Sequence, residues 1–398
     1  MRLSALRLTA VILILCSATT IVNAQSADPI NVVTTAVPFL RISPDSRAGG
    51  MGDMGTATAP DANSAYFNIA KAVFNKSNAC VGVTYTKWLK DLGLNDVYLA
   101  SLAGYYKFDE NQAITAAFRY FSLGNIQFTD AAGQDLNTYR PREFGFDLGY
   151  SRRLTDKLGI GLGLKYIYSN LAGGAVVGNT SYKAGTSIAG DLSMYYNNHD
   201  EAGKGIAVGL SLSNLGQKIA YSNNADQKDY IPANLSLGTM YTKPFDESNK
   251  LSFGIEINKL LVPTPPIDAS GNIADPDALA AYRNKSVMSS WFSSFGDAPG
   301  GFKEELREFQ VSVGGEYTYN DQFSVRAGYF WEDKTKGARK YFSMGVGVKY
   351  NIFGLNFSYL LPSGSGTNRN PLSNTLRFSL IFDLGAAGDA ESSSTSEE

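Results

Sequence analysis

The residues able to make and break bonds are few. Histidine occurs once, at His199, and cysteine twice, at Cys16 and Cys80. A nucleophile paired with histidine needs that base beside it, and the chain has no G-x-S-x-G turn to present a serine. A thiolate metal site needs several cysteines, so no catalytic residue, metal or cofactor is read from the sequence. One stretch does fit a ligand-binding pattern: Gly50-Met51-Gly52-Asp53-Met54-Gly55 matches G-x-G-x-x-G. That fingerprint means dinucleotide binding only inside a strand, turn and helix unit. Here Pro38 and Pro44 interrupt what precedes it and TATAPDA follows, so the glycines read as residues that permit tight turns.

The elements that would position any of these residues are strands. In LGIGLGLKYIYS (158–169), Ile160, Leu162, Leu164, Tyr166 and Tyr168 fall on one face, and Gly159, Gly161, Gly163 and Lys165 on the other. Period two is the period of a β-strand. The alternation recurs over 79–88, 97–108, 113–123, 144–153, 186–196, 205–213, 234–242, 250–258, 309–319, 322–331, 341–350, 353–361 and 374–383. That makes about fourteen strands, each near the 9 to 11 residues that a tilted strand needs to cross a bilayer.

The connections alternate between tight and long, from Asn320-Asp321 at one extreme to the stretch 259–308 at the other. This parity is that of an outer-membrane barrel, with short periplasmic turns and longer external loops. The expected fold is therefore all-β, a transmembrane antiparallel barrel. Ile206, Val208, Leu210, Leu212, Leu251, Phe253, Ile255 and Ile257 should face lipid with Ile160, Leu162 and Leu164. Arg119, Asp147, Asp191, Glu316, Arg326, Lys349 and Arg377 should face the lumen, most of them in pairs that join the wall to a plug. A lumen-facing glycine such as Gly161 should accept serine at almost no cost. His199 is expected in the periplasmic connection 197–204.

Composition agrees: of 398 residues, 18% are charged and 44% hydrophobic, against about 25% charged in an average soluble domain. Residues 1–24 read as an export signal, with Arg2 and Arg7, an apolar stretch and a small-residue cleavage site at 22–24. Leu15 before Cys16 argues against lipid attachment. Losing Arg2 and Arg7 takes the formal charge from -2 to -4, which offers no electrostatic footprint for nucleic acid. Residues 25–78 form a periplasmic or plug segment, polar and glycine-rich, expected to fold back into the barrel. Residues 79–384 make the barrel, and 385–398 an acidic tail expected to be disordered.

Barrel, export signal and N-terminal segment together resemble the FadL family, whose Asn-Pro-Ala signature corresponds here to Asn68-Ile69-Ala70. Residues 38–68, PFLRISPDSRAGGMGDMGTATAPDANSAYFN, with LLVPTPP (260–266) and SSFGDAPGGFKEELRE (293–308), more specifically resemble the PorV family of type IX secretion in Bacteroidetes. The resemblance implies a non-enzymatic outer-membrane component. It would bind the C-terminal signal domains of cargo, take cargo from the translocon and deliver it to the surface complex containing the PorU sortase. In this reading Arg47, Gly50, Gly52, Gly55 and Asn68 belong to the plug. In the long loop, Val287, Trp291, Phe292 and Phe295 are spaced to share one side of a short helix. With Phe302 they make a candidate docking surface, and a lid packed on the barrel rim is the competing reading. Transport of hydrophobic small molecules, the habit of the wider FadL family, is the alternative function.

Overall fold

The computed structural model describes residues 30–129, 132–177, 180–223, 228–267, 272, 275–361 and 372–385. The expected export signal and nearly all of the acidic tail lie outside these residues. The chain enters the first strand at Ala79 and then runs up and down. The strands are β1 (Ala79–Lys87), β2 (Val97–Asp109), β3 (Gln112–Leu123), β4 (Arg142–Arg153) and β5 (Leu158–Asn170). Next come β6 (Gly185–His199), β7 (Gly205–Gly216), β8 (Asn234–Pro244), β9 (Asn249–Leu260) and β10 (Gln310–Tyr319). The last are β11 (Phe323–Trp331), β12 (Lys340–Tyr350), β13 (Phe353–Leu360) and β14 (Leu376–Asp383). Each pairs antiparallel with its sequence neighbours, and β14 closes on β1, with Cys80 opposite Asp383 and Thr86 opposite Arg377. Closure leaves no unpaired edge, which is what lets a sheet stand in lipid.

The alternation settles which face is which. Along β5, Ile160, Leu162 and Leu164 are exposed on the outside while Gly159, Gly161 and Lys165 are buried inside. Leu251, Phe253, Ile255 and Ile257 of β9 are likewise outward, with Glu256 inward. At one rim the turns are short. Asn320 and Asp321 both take positive φ, 51° and 55°, in a three-residue connection that closes with Tyr319 opposite Phe323; positive φ gives such a turn the twist of its strands. The opposite rim carries the long connections. Two of them hold short hairpins of their own, Ile126–Thr129 with Asp135–Tyr139 and Val176–Val177 with Thr180–Ser181, which the sequence reading had as plain loop. His199 also differs from expectation. The ladder of β6 and β7 continues through Asn198–Ile206 to His199–Gly205, so the histidine ends a strand instead of lying in the turn.

Residues 37–74 occupy the lumen. Val37, Phe39 and Leu40 pack against Leu99, Phe121, Ile167 and Ile219 near the long-loop rim. Met51, Met54 and Ala57 pack against Tyr195, Ala207 and Met240 farther in, and Ala62, Ala72 and Val73 against Cys80, Tyr105 and Ala113 at the short-turn rim. The segment folds into two single helical turns, α1 (Ser46–Gly49) and α2 (Ser64–Phe67), with 3-10 turns at Pro38–Arg41 and Ile69–Phe74. It runs through the barrel from the long-loop rim to the short-turn rim.

Candidate functional site: a filled lumen beneath a loop-covered rim

The segment inside the barrel is held by charge as well as by apolar contact. Asp45 caps α1 by accepting the N–H groups of Arg47 and Ala48, each at 3.0 Å, as an N-cap carboxylate does. The Arg47 guanidinium meets Glu316 of β10 through two parallel bonds, Nε to Oε2 at 3.0 Å and Nη2 to Oε1 at 2.8 Å. The planar fork matches a carboxylate in this way. Glu316 also accepts from Arg326 of β11 at 2.6 Å. Asp53 receives Arg377 of β14 and Tyr341 of β12. Glu256 of β9 works the other way, accepting the backbone N–H groups of Gly55 at 2.9 Å and Thr56 at 2.8 Å. Asn68 donates to the carbonyls of Thr56 and Met194 and accepts from Ala70 N, so it ties two turns of the segment to β6.

The expected pairing of wall and inner segment is thus present at Arg47, Asp53, Glu316, Arg326 and Arg377. Arg119 joins wall and segment too, donating to Leu40 O at 3.2 Å while it meets Asp147 at 3.1 Å; Lys165 pairs along the wall itself with Asp147 and Asp191, each contact at 3.1 Å. Lys349 departs from expectation. It sits at the short-turn rim, half exposed, and pairs with Asp383 at 2.8 Å, because its strand ends one residue later.

The glycines of 50–55 serve close approach. At Gly50 a Cβ would stand 3.1 Å from the Gly345 backbone, and at Gly328 of the wall it would lie 2.2 Å from Gly52 N. Gly52 also holds φ of 70°, a conformation that glycine adopts without strain. Gly161 overturns a sequence expectation: a Cβ there would be 2.6 Å from Ala70 N and 2.5 Å from Ser193 Oγ. Lumen-facing glycines are small here because another backbone lies against them, not because they face open water. Inside the barrel lies a polar cavity of about 80 Å³, bordered by Arg41, Asp53, Tyr66, Lys165, Glu256 and Tyr341. Among the described residues no group of three His, Cys, Asp or Glu side chains is placed to hold a metal ion.

The long-loop rim is built differently. Residues 261–309 carry α3 (Pro276–Asn284), α4 (Val287–Ser293) and α5 (Phe302–Arg307). Asp275 caps α3 and Ser286 caps α4. A buried ion cluster clamps the stretch to the barrel. Lys259, at the end of β9, meets Glu305 at 3.2 Å and Glu308 at 2.6 Å. Lys336, from the connection between β11 and β12, meets Glu304 at 2.6 Å and Glu308 at 3.0 Å. Glu305 also accepts Ala298 N at 2.7 Å, and Glu308 accepts the Thr264 hydroxyl at 2.7 Å. Burial by itself raises the Glu304 pKa, but the Lys336 ammonium and the Gly300 N–H outweigh it and hold the carboxyl below its ordinary value.

On this clamped support the apolar residues divide. Positions four apart on a helix lie above one another, so Val287 and Trp291 form one stripe and Met288 and Phe292 the next. The first stripe is half-buried, and the Trp291 indole N–H is buried with no acceptor among the described residues. The second faces solvent: Met288 is 67% exposed and Phe292 77%, joined by Phe295 at 48%, Phe302 at 77% and Leu306 at 53%. Of the five docking residues read from the sequence, Phe292, Phe295 and Phe302 are exposed, while Val287 and Trp291 are half-buried. Met288 and Leu306 were missed, although an i, i+4 count from Phe292 and Phe302 reaches both. The clamp residues Lys259, Glu305, Glu308 and Lys336 carried no sequence signal, since they come together only when β9 and the β11–β12 connection meet.

A closed fourteen-strand barrel with an apolar outer face and a filled lumen is an outer-membrane β-barrel of FadL-like architecture. The fold is similar to that of the toluene transporter TbuX of Ralstonia pickettii, with TM-score 0.50 and 14% identity, covering 86% of this chain and 97% of that one. The toluene transporter TodX of Pseudomonas putida gives TM-score 0.49 and 14% identity over 89% of this chain and 98% of that one. No curated protein matches the sequence. Residues 24–267 match the family of the type IX secretion system protein PorV. This is more than half of the chain, which belongs to that family and is an outer-membrane component of type IX secretion.

Proposed function

We propose that the protein carries type IX cargo at its long-loop rim. The C-terminal signal domain of the cargo docks on the exposed face of α4 and α5 and is passed from the translocon to the sortase complex at the cell surface. The observation that carries this reading is the exposure of five large apolar residues in and beside α4 and α5, on a segment fixed by a buried ion clamp. A lid would bury such residues, and Met288, Phe292, Phe302 and Leu306 are each more than half exposed. Large exposed apolar patches on proteins commonly mark partner sites, and aromatic anchors on a fixed support bind with little ordering cost. The segment 37–74 acts as a plug, and Arg47, Gly50, Gly52, Gly55 and Asn68 hold it in place. No step of this role asks for a catalytic residue.

Transport of a hydrophobic solute has less support. The cavity inside is small and polar. The large apolar hollow, about 1010 Å³ and bordered by Leu102, Phe118, Phe146, Leu148, Leu162 and Leu192, is on the lipid-facing side of β2 to β6. Replacing Phe292 and Phe302 together with Ala in the native envelope tests the proposal. Cargo should no longer co-purify with the protein and should accumulate in the periplasm, while the barrel still inserts. Normal surface anchoring of cargo by the double variant would refute it.

A further inference from the structure

The direction in which the inner segment threads the barrel fixes where the chain begins. At the long-loop rim, Asn31 N donates to Thr335 O at 2.9 Å, in the β11–β12 connection. Asn31 Nδ2 donates to Glu304 at 3.1 Å and to Pro265 O at 3.4 Å, both in the β9–β10 connection. Ala36 N donates to Tyr230 O at 2.9 Å, just before β8. Residues 31–36 therefore lie across three separate connections of one rim, and Ile30 is 72% exposed above them.

The chain then turns down. Val37 is buried with φ of 48°, a left-handed conformation unfavourable for a β-branched residue, and Phe39 and Leu40 follow it into the lumen. The segment leaves at the opposite rim. There Lys107 N donates to Asn78 O at 2.7 Å, and Lys107 Nζ to Asn75 O at 3.0 Å.

With export cleavage after Ala24, as the sequence suggests, five residues precede Ile30. They span at most about 18 Å when fully extended. The hydrocarbon layer is about 30 Å thick, and the lumen below is packed with the rest of the segment. The start of the mature chain therefore has no route back to the short-turn side.

We propose that the mature amino terminus is displayed on the outer surface of the cell and that residues 31–36 form a strap binding the β9–β10 and β11–β12 connections together. The topological part is independent of cargo docking. It requires the amino-terminal segment, delivered to the periplasm by its signal, to pass to the outer side as the barrel assembles. The carboxyl end of β14, at Asp383 opposite Cys80, stays at the other rim.

Single-cysteine variants test the topology on intact cells with a membrane-impermeant maleimide. The native Cys80 is buried and supplies little background. Ser26→Cys should be labelled without permeabilisation to about the same extent as Gly296→Cys, whose Cβ meets nothing within 4 Å. Asn320→Cys, in a short turn, should react only after the outer membrane is opened. Labelling of Ser26→Cys only after opening, or not at all, would overturn the display of the amino terminus. Labelling of Asn320→Cys on intact cells, with Gly296→Cys protected, would overturn it through the orientation of the barrel. The strap is tested by Asn31→Ala, which removes the two side-chain bonds to the β9–β10 connection. Protease cleavage within 261–309 on intact cells should quicken roughly three- to tenfold, the equivalent of one modest hydrogen-bond contribution. An unchanged cleavage rate would overturn the strap.

Discussion

Two buried ion clusters, one in the lumen and one at the rim, use the same chemistry for opposite ends. In the lumen, Glu316 lies between Arg47 and Arg326, and Asp53 meets Arg377. At the rim, Lys259 and Lys336 share Glu308. Each cluster fixes a segment that has little regular structure of its own. The lumen cluster draws its segment inward until glycine backbones touch, leaving a cavity of about 80 Å³. The rim cluster holds its segment with Phe292 and Phe302 each 77% exposed. Buried ion pairs add little net stability, yet removing one member is costly. Their value here is placement: one region is filled around them and the other carries its aromatic side chains in the open.

The comparison breaks most visibly at Glu316. Glu316→Ala leaves Arg47 and Arg326 buried without their carboxylate, at a cost of about 3–5 kcal/mol. The temperature at which heat-modified migration changes on a gel should fall clearly. If it does not, the lumen cluster does not hold the inner segment.

The wall separates its two faces by a smaller margin. Leu162→Arg places a charge on the lipid face, costing about 2–4 kcal/mol near mid-bilayer. Gly161→Ser, one residue away and facing inward, should cost about 1–3 kcal/mol by overpacking against Ala70. Denaturant midpoints of the folded barrel would check both. A neutral Gly161→Ser would mean that the inner segment yields easily and that the lumen is not tightly filled.

The smallest effect concerns pH at the rim. Because the Glu304 pKa is depressed by Lys336 and by the Gly300 N–H, the clamp gains stability above the ordinary glutamate range and loses it as pH falls through the lowered value. Pepsin cleavage within 261–309 should therefore rise only at strongly acid pH, beyond the protease's own pH dependence. A rise already in the ordinary glutamate range, about pH 4 to 5, would show that Glu304 is not engaged.

Much of this was legible in the sequence because period-two alternation and loop parity are local properties. The fourteen strands, their facing and the long loop all follow from them. The filling of the lumen was not legible in the same way. Phe39, Met51, Met54 and Val73 are scattered among glycines and polar residues with no helical or strand period, so their burial depends on the wall around them. Gly161 was misjudged for the same reason, since a glycine facing water and a glycine facing another backbone look alike in sequence. The direction of threading was hidden too. It rests on contacts of Asn31 with residues more than two hundred positions away.

The docking claim is tested most directly by the affinity of the purified, detergent-solubilised protein for the isolated C-terminal signal domain of a type IX cargo. Two exposed aromatic anchors at about 2 kcal/mol or more each should make the Phe292→Ala, Phe302→Ala double variant bind at least roughly 30-fold more weakly, even allowing for non-additivity. Its unfolding temperature should match that of the unaltered protein. Unchanged affinity in a folded double variant would contradict the account.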